Sequence, residues 1–148
     1  MNTINTASHQ ELVLVRGHSG SGKSTFAASF VPFGYKHFEN DSFFVGEDGV
    51  YTFDFAFHQV AKDECVKKAV QALLDGESVV VSNTFTKVVE MDSLVSFAQE
   101  LGIAIRVFEM ENNFENTHNV PEAVILEKKA AFESIEAAFK VKGDYVLV

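Results

Sequence analysis

The feature that most constrains this chain is the glycine-rich run Gly17–Thr25 (GHSGSGKST), which directly follows the apolar segment Glu11–Arg16. The run satisfies the pattern G-x-x-x-x-G-K-[ST], in which glycines let the backbone curl so that successive amide N–H groups point inward. Such a ring of amides, placed where a helix begins, binds phosphate groups. The sequence therefore predicts a strand, a phosphate-binding loop and a helix, in that order.

Residue type gives each position of this loop an expected role. Lys23 is expected to contact the outer phosphates of a nucleotide, and the hydroxyl of Ser24 is expected to bind Mg²⁺. The other nucleotide-binding positions are expected to be Gly17, His18, Ser19, Gly20, Ser21, Gly22 and Thr25. ATP and Mg²⁺ are therefore the predicted cofactors. The alternative interpretation is a tight turn between strand and helix that carries an exposed lysine.

Short apolar runs alternate along the chain with longer segments of helical spacing, which is typical of a parallel sheet covered by helices. The predicted strands are Glu11–Arg16, Tyr35–Glu39, Ser78–Ser82, Ile103–Met110 and Tyr145–Val148. The predicted helices are Lys23–Phe30, Asp54–Leu74, Lys87–Leu101 and Pro121–Lys140. We therefore predict an α/β fold of the three-layer P-loop NTPase type, with a mostly parallel five-stranded sheet and helices on both faces. Residues 1–10 are expected to be a polar tail, and residues 11–148 a single domain.

The segment between the second strand and the second helix carries conflicting signals. Tyr51, Phe53, Phe55 and Phe57 alternate strictly, a period that favours a strand. From Phe57 onward the apolar spacing is instead that of a helix. Its expected buried stripe consists of Phe57, Val60, Ala61, Cys65, Ala69, Leu73 and Leu74. We therefore expect a helix from Phe57 onward, with Cys65 as an inert core thiol.

Composition limits the partners and the compartment. The 148 residues are 47% hydrophobic, enough for a core that needs no disulfide, and the lone Cys65 has no internal partner. No run of roughly 18 apolar residues is present, and residues 1–10 lack the apolar stretch of a secretion signal, so we expect a cytoplasmic protein without a membrane partner. Twelve Lys and Arg against 21 Asp and Glu give a formal charge of −9. That sign argues against binding extended nucleic acid.

Polar residues follow the predicted strands at the edge of the sheet where the phosphate-binding loop lies. Asp41 follows the second strand, where its carboxylate can accept a proton from an acceptor hydroxyl. A turn or helix-capping role is the alternative for Asp41. Ser82 and Asn83 follow the third strand and suit Mg²⁺-bound water or phosphate. The alternation of His37, Glu39 and Asp41 is interpreted as a polar edge of the site rather than a transition-metal site.

Taken together, these motifs resemble the polynucleotide-kinase-like branch of the P-loop kinases, related to zeta-toxin-type kinases, over about residues 12–132. The segments that carry the resemblance are Val15–Thr25, Asn40–Phe44, Tyr51–Asp54, Val81–Thr84, Val89–Met91 and Asn116–Pro121. The resemblance implies a kinase that transfers the γ-phosphoryl group of ATP to a hydroxyl, with Asp41 as the base. It also implies a lid near residues 111–121, in which His118 contacts the nucleotide. The implied acceptor is the 5′-hydroxyl of a nucleic-acid end, a nucleoside or a nucleotide.

Three positions depart from the pattern of this family. The second of its two adjacent Asp residues is Ser42 here, and its lid arginine is Glu115. The acidic residue that ends its third strand is replaced by the uncharged Ser82, so Mg²⁺ is expected to be held mainly by Ser24 and water. Lys128, on the apolar face of the last predicted helix, is the candidate replacement for the missing arginine. The alternative is that the stem of Lys128 covers the core.

Aromatic residues are concentrated where an acceptor would enter. Phe43, Phe44 and Tyr51 are candidates for stacking a base or a sugar, with core packing as the alternative.

Three functions follow from these observations. The first is a kinase that phosphorylates a small molecule or a short nucleic-acid end. The second is a module that senses or sequesters ATP without efficient catalysis, which the departures at Glu115 and Ser82 favour. The third is an ATPase or GTPase switch, which the sequence disfavours because no acidic strand end or water-positioning Gln is evident.

Overall fold

A computed structural model describes residues 10–18, 20–85, 87–110 and 144–147 of the chain. Within these ranges, five strands form one sheet in the order β2-β3-β1-β4-β5, and each neighbouring pair is parallel. The strands are β1 (Glu11–Arg16), β2 (Lys36–Phe38), β3 (Val79–Asn83), β4 (Ala104–Glu109) and β5 (Asp144–Leu147). The predicted α/β class and parallel sheet are confirmed.

Helices cover both faces of this sheet. They are α1 (Lys23–Ala28), α2 (His58–Leu74) and α3 (Asp92–Glu100). Side chains alternate between the two faces of a strand, so Val13 and Val15 of β1 pack with Ala27 of α1. Leu12 and Leu14 point the other way, into a larger core with α2 and α3. All four β1 residues have no exposed surface, as expected for a central strand buried on both faces.

The helix boundaries differ from the predicted ones for local reasons. The first helix ends at Ala28 rather than Phe30, and the chain then enters a 3-10 turn, Val31–Phe33. Pro32 accounts for this early end, because a proline has no N–H to donate to the carbonyl four residues earlier, that of Ala28, and its ring would clash with it. The second and third helices are each preceded by a 3-10 turn, Phe55–Phe57 and Val88–Met91. The predicted helix Pro121–Lys140 lies outside the described residues.

The alternating aromatic segment forms neither a regular strand nor an early helix. Tyr51 makes one isolated antiparallel bridge with Val45. The α-helix begins at His58, four residues after the predicted start at Asp54 and one residue after Phe57, where the helical spacing begins. Ala61, Cys65, Ala69 and Leu73 are buried as predicted. The predicted stripe is wrong at Phe57, Val60 and Leu74, which are 49%, 48% and 57% exposed. The buried residues of α2 are Ala61, Cys65, Ala69, Ala72 and Leu73, so its buried stripe is narrower than the periodicity indicated.

Among the described residues, no helix has both the length and the apolar character required to cross a membrane.

Candidate active site

The loop between β1 and α1 has the curled backbone that its glycines predict. Gly20 and Gly22 have φ angles of 81° and 87°, in the left-handed region that favours glycine. Gly17 is required for a different reason, because a Cβ there would lie 2.5 Å from Ser21 Oγ and 3.0 Å from Met110 Cβ. The Ser21 amide donates to the His18 carbonyl at 3.1 Å, which closes the curl. Gly20 and Gly22 are therefore required by their backbone conformation, and Gly17 by the lack of space for a side chain.

Arg16 attaches the start of this loop to the neighbouring strands. Its guanidinium is fully buried, and Nε and Nη2 donate to the carbonyl oxygen of Phe85 at 3.1 and 2.7 Å. Nη1 pairs with Glu109 Oε1 at 2.9 Å. Phe85 has a φ of 47°, an uncommon conformation for a non-glycine residue. Arg16 therefore anchors the start of the loop to the segment that follows β3 and to the end of β4.

Lys23 lies across the mouth of the loop. Its Nζ donates to the His18 carbonyl at 3.3 Å, and the side chain is partly buried. Burial lowers the pKa of Lys23, while the carboxylates of Asp41 and Glu39 act in the opposite direction. A phosphate group at this position would offset the cost of burying the ammonium group.

Glu39, directly after β2, connects the loop to the sheet. Its Oε2 accepts hydrogen bonds from Ser24 Oγ at 2.8 Å and from Ser82 Oγ at 2.9 Å. His37 Nε2 lies 2.6 Å from Ser82 Oγ. Burial lowers the pKa of His37, opposed by the charge of Glu39. A serine hydroxyl and a carboxylate are the oxygen donors that Mg²⁺ prefers alongside phosphate and water, so Ser24 and Glu39 fit this ion.

Asp41 lies in the 3-10 turn Asn40–Phe44 that follows Glu39. The turn is fixed to β3, because the Asn40 amide donates to Asn83 Oδ1 at 2.7 Å. The Asp41 carboxylate accepts a hydrogen bond from the Tyr51 hydroxyl at 3.4 Å. Burial, and then the charge of Asp41, raise the pKa of Tyr51, so the phenol remains a proton donor. Asp41 is exposed and lines a cavity together with Lys23 and Ser24.

One cavity of about 850 Å³ contains these groups. Lys23, Ser24 and Asp41 line one part of it, and the aromatic side chains of Phe44 and Phe53 line another. The two aromatic rings meet edge to face, with centroids 4.9 Å apart. The phosphate-binding loop, the candidate base and an aromatic wall therefore share one space.

The site also contains residues for which no sequence pattern predicted a role. Lys62 of α2 and Glu90 form an ion pair at 3.0 Å on the wall of the cavity, and His58 lies nearby at the start of α2. The contact of Glu39 with Ser24 was also missed. The alternation of His37 and Glu39 carried a partial signal, because it places both side chains on one face of the strand end.

The loop brings together the described residues of the predicted nucleotide site. They are Gly17, His18, Gly20, Ser21, Gly22, Lys23, Ser24 and Thr25. Ser19, His118 and Lys128 lie outside the described residues, as does the lid near residues 111–121, so their roles stay predictions.

Comparison with known proteins identifies the family. A family model described as an AAA domain, AAA_33, matches residues 12–113. The chain belongs to the AAA_33 family. This match begins at β1 and includes the phosphate-binding loop, Glu39 and Asp41. The resemblance to polynucleotide-kinase-like P-loop kinases is thereby confirmed.

Individual similar proteins show how far the likeness extends. An uncharacterized protein of Pasteurella multocida is 33% identical over 133 residues, which cover 80% of this chain and 74% of the relative. A bifunctional polynucleotide phosphatase/kinase of Schizosaccharomyces pombe is 33% identical over 108 residues, which cover 72% of this chain but only 22% of the yeast protein. A gluconokinase from Sinorhizobium meliloti shares the fold, with a TM-score of 0.61, 18% identity, and coverage of 93% of this chain and 82% of that one.

Proposed function

We propose that this AAA_33 protein is a kinase that transfers the γ-phosphoryl group of ATP to the hydroxyl group of a small acceptor. The observation that carries the proposal is the shared cavity of Lys23, Ser24 and Asp41. A phosphate-binding lysine and a carboxylate base must face the same space for a hydroxyl to attack a bound phosphate. The kinases among the similar proteins support the same type of reaction.

Each group has a defined task in the proposed reaction. The loop amides and Lys23 bind the phosphate oxygens and balance their charge as ADP departs. Asp41 accepts the proton of the acceptor hydroxyl, whose oxygen forms a bond to the γ-phosphorus while the bond from that phosphorus to the ADP oxygen breaks. Mg²⁺, held by Ser24 and Glu39 when bound, would neutralise phosphate charge. Tyr51 positions the Asp41 carboxylate through its hydroxyl.

The charge of the described cavity wall favours an acceptor without a phosphate group of its own. Apart from Lys23, the described lysine on this wall is Lys62, which is paired with Glu90. Both arginines of the chain are engaged elsewhere, Arg16 beneath the loop and Arg106 with Glu11 at 2.8 Å. On the described part of this wall, a phosphodiester next to the reacting hydroxyl would therefore meet more carboxylates than unpaired cations.

The aromatic part of the wall specifies the shape of the acceptor. The buried ring of Phe44 packs against Phe53 and Tyr51, and the latter two are 47% and 51% exposed. Exposed aromatic faces bind flat, weakly polar surfaces by stacking. We therefore infer a neutral hydroxylated ring compound, such as a nucleoside or a sugar, rather than the end of a nucleic-acid strand.

Phosphotransfer with labelled ATP tests the proposal. Wild-type protein is incubated with Mg²⁺ and one acceptor at a time from a panel of nucleosides, sugars and 5′-hydroxyl oligonucleotides. We expect label on a neutral ring compound, and its loss in Lys23→Ala and Asp41→Asn. Asp63→Asn is the matched control, because Asp63 lines the same cavity and contacts Gln59 of its own helix. Transfer that survives Asp41→Asn unchanged would overturn the assignment of the base.

A second candidate is a module that binds ATP without transferring its phosphate. The pairing of Arg16 and Arg106 away from the cavity favours it, because neither arginine then stabilises the phosphoryl group during transfer. Under this alternative, calorimetry detects tight ATP binding, no acceptor in the panel becomes labelled, and Asp41→Asn leaves the affinity unchanged.

A further inference from the structure

The strongest unassigned feature is the position of the Glu39 carboxylate. A single oxygen, Oε2, accepts hydrogen bonds from the loop hydroxyl of Ser24 at 2.8 Å and from Ser82 of β3 at 2.9 Å. Its side chain keeps 25% of its surface exposed and lies on the wall of the cavity. The carboxylate is therefore fixed on one side and open on the other.

Strand pairing explains how Glu39 reaches this position. β2 runs parallel to β3 with Phe38 beside Val81, so the next residue along, Glu39, lies beside Ser82. His37 and Glu39 share a strand face with Val80 and Ser82, which is the face that α1 covers. Since Ser24 lies in the first turn of α1, the loop, β2 and β3 meet at this carboxylate.

The direction of the hydrogen bonds leaves Ser24 ready to bind a cation. Ser82 has a single hydroxyl proton, which it donates to Glu39, so His37 Nε2 donates to Ser82 Oγ. Ser24 likewise donates its only proton to Glu39, and its lone pairs are left for another partner. Both serines thus donate to the Glu39 carboxylate, His37 donates to Ser82, and no proton of Ser24 opposes a positive ion.

We propose that Glu39, from the second strand, supplies the carboxylate of the magnesium site in this protein. In P-loop NTPases the ion is held by the loop Ser or Thr together with an acidic residue. The end of β3 is uncharged here, with Ser82 and Asn83, and Ser82 instead holds the carboxylate that arrives from the neighbouring strand. Ser82 is then a positioning residue, and Glu39 acts on the ion directly or through water. This inference rests on the proposed binding of ATP with Mg²⁺.

Isothermal calorimetry of ATP binding, in Mg²⁺ and separately in EDTA, tests the proposal without any acceptor. For Glu39→Gln we expect the enhancement of ATP affinity by Mg²⁺ to fall about 10- to 100-fold, the usual effect of losing a supporting metal-site group. In EDTA the same variant should bind ATP at least as tightly as wild type, because one negative charge near the phosphates is gone. Poor folding would weaken ATP binding in both conditions. It therefore cannot explain a variant that loses the Mg²⁺ enhancement but keeps or gains ATP affinity in EDTA.

A double variant moves the carboxylate to the other strand. Glu39→Gln with Ser82→Asp should recover part of the Mg²⁺ enhancement, because the new carboxylate lies at the same edge of the sheet. Asp63→Asn removes one charge from the same cavity and should retain the wild-type enhancement. The double variant also lacks the hydrogen bond between Ser82 and Glu39. Recovery of the Mg²⁺ enhancement would therefore show that the single variant lost the ion site and not merely this hydrogen bond.

The results distinguish this proposal from the function on which it rests. If wild type binds ATP equally in Mg²⁺ and EDTA, both the proposed function and this inference fail. If wild type shows the enhancement and Glu39→Gln keeps it, only the role of Glu39 is overturned. Loss of ATP affinity in both conditions by Glu39→Gln would also overturn it, because the residue would then be supporting the loop instead of the ion.

Discussion

The guanidinium group of Arg16 donates two hydrogen bonds to the carbonyl oxygen of Phe85, a residue whose φ of 47° lies in the left-handed region. Arg16 is the last residue of β1, and Phe85 is in the connection that follows β3. The same guanidinium reaches Glu109 at the end of β4. One buried side chain therefore connects three strand ends directly beneath the phosphate-binding loop.

Removing this side chain should destabilise the whole protein. Arg16→Ala leaves the carbonyl of Phe85 and the carboxylate of Glu109 without their partner, and we expect the free energy of unfolding to fall by about 3 kcal/mol. Arg16→Lys should retain only part of this stabilisation, because an ammonium group cannot reproduce the planar set of donors of a guanidinium. Urea denaturation monitored by circular dichroism measures both changes.

The other arginine of the chain provides the control. Arg106 pairs with Glu11, but its side chain is 40% exposed, so Arg106→Ala should cost less than about 1 kcal/mol. Equal losses at the two positions would contradict the role assigned to Arg16.

Gly17 should be intolerant of even one methyl group. In Gly17→Ala the new Cβ would lie 2.5 Å from Ser21 Oγ and 3.0 Å from Met110 Cβ, so the buried Ser21 side chain must move and Met110 must yield slightly. We expect at least a tenfold loss of ATP affinity, about 1.4 kcal/mol, measured by calorimetry. Adding Ser21→Ala should restore part of the affinity, because it removes the nearer contact. If the single variant binds ATP like wild type, the close packing of this loop is unnecessary for nucleotide binding.

The chemistry of the loop could be predicted from the sequence, but the contacts around it could not. The dihedral demands at Gly20 and Gly22 are local, and the pattern of residue types encodes them directly. The contact between Ser24 and Glu39 instead depends on β2 lying beside β3, a strand order that no spacing along the chain specifies. The sequence therefore predicts Ser82 only as the replacement of an acidic residue, whereas its hydroxyl donates to the carboxylate of Glu39.

Side-chain burial on α2 illustrates the same limit. Periodicity places Val60 and Cys65 on one stripe, yet Val60 is 48% exposed and Cys65 only 5%. How wide a stripe becomes buried depends on what packs above it, which is a property of the tertiary structure.

Cys65 should be a poor nucleophile in the folded protein. Burial raises the pKa of its thiol, opposed by a hydrogen bond from Asn83 Nδ2 at 3.7 Å. A raised pKa lowers the thiolate fraction at any pH below it, and the thiolate is the reactive form. We expect iodoacetamide at pH 8 to label native protein at least about tenfold more slowly than protein unfolded in guanidinium. Mass spectrometry measures the labelling rate of Cys65 directly, because the chain has one cysteine. Equal rates in the native and unfolded protein would contradict the burial argument.

Phe53 should contribute to binding of the acceptor and not of ATP. Its ring lines the cavity, is 47% exposed and packs edge to face on the buried Phe44. Phe53→Leu keeps an apolar side chain but removes the flat face, so KM for a ring-shaped acceptor should rise at least about fivefold, equivalent to about 1 kcal/mol of stacking. The affinity for ATP should stay at the wild-type value. Phe33→Leu is the matched control, because Phe33 is 82% exposed and does not line this cavity. A parallel change in both variants, or a loss of ATP affinity in Phe53→Leu alone, would show that this aromatic wall does not bind the acceptor.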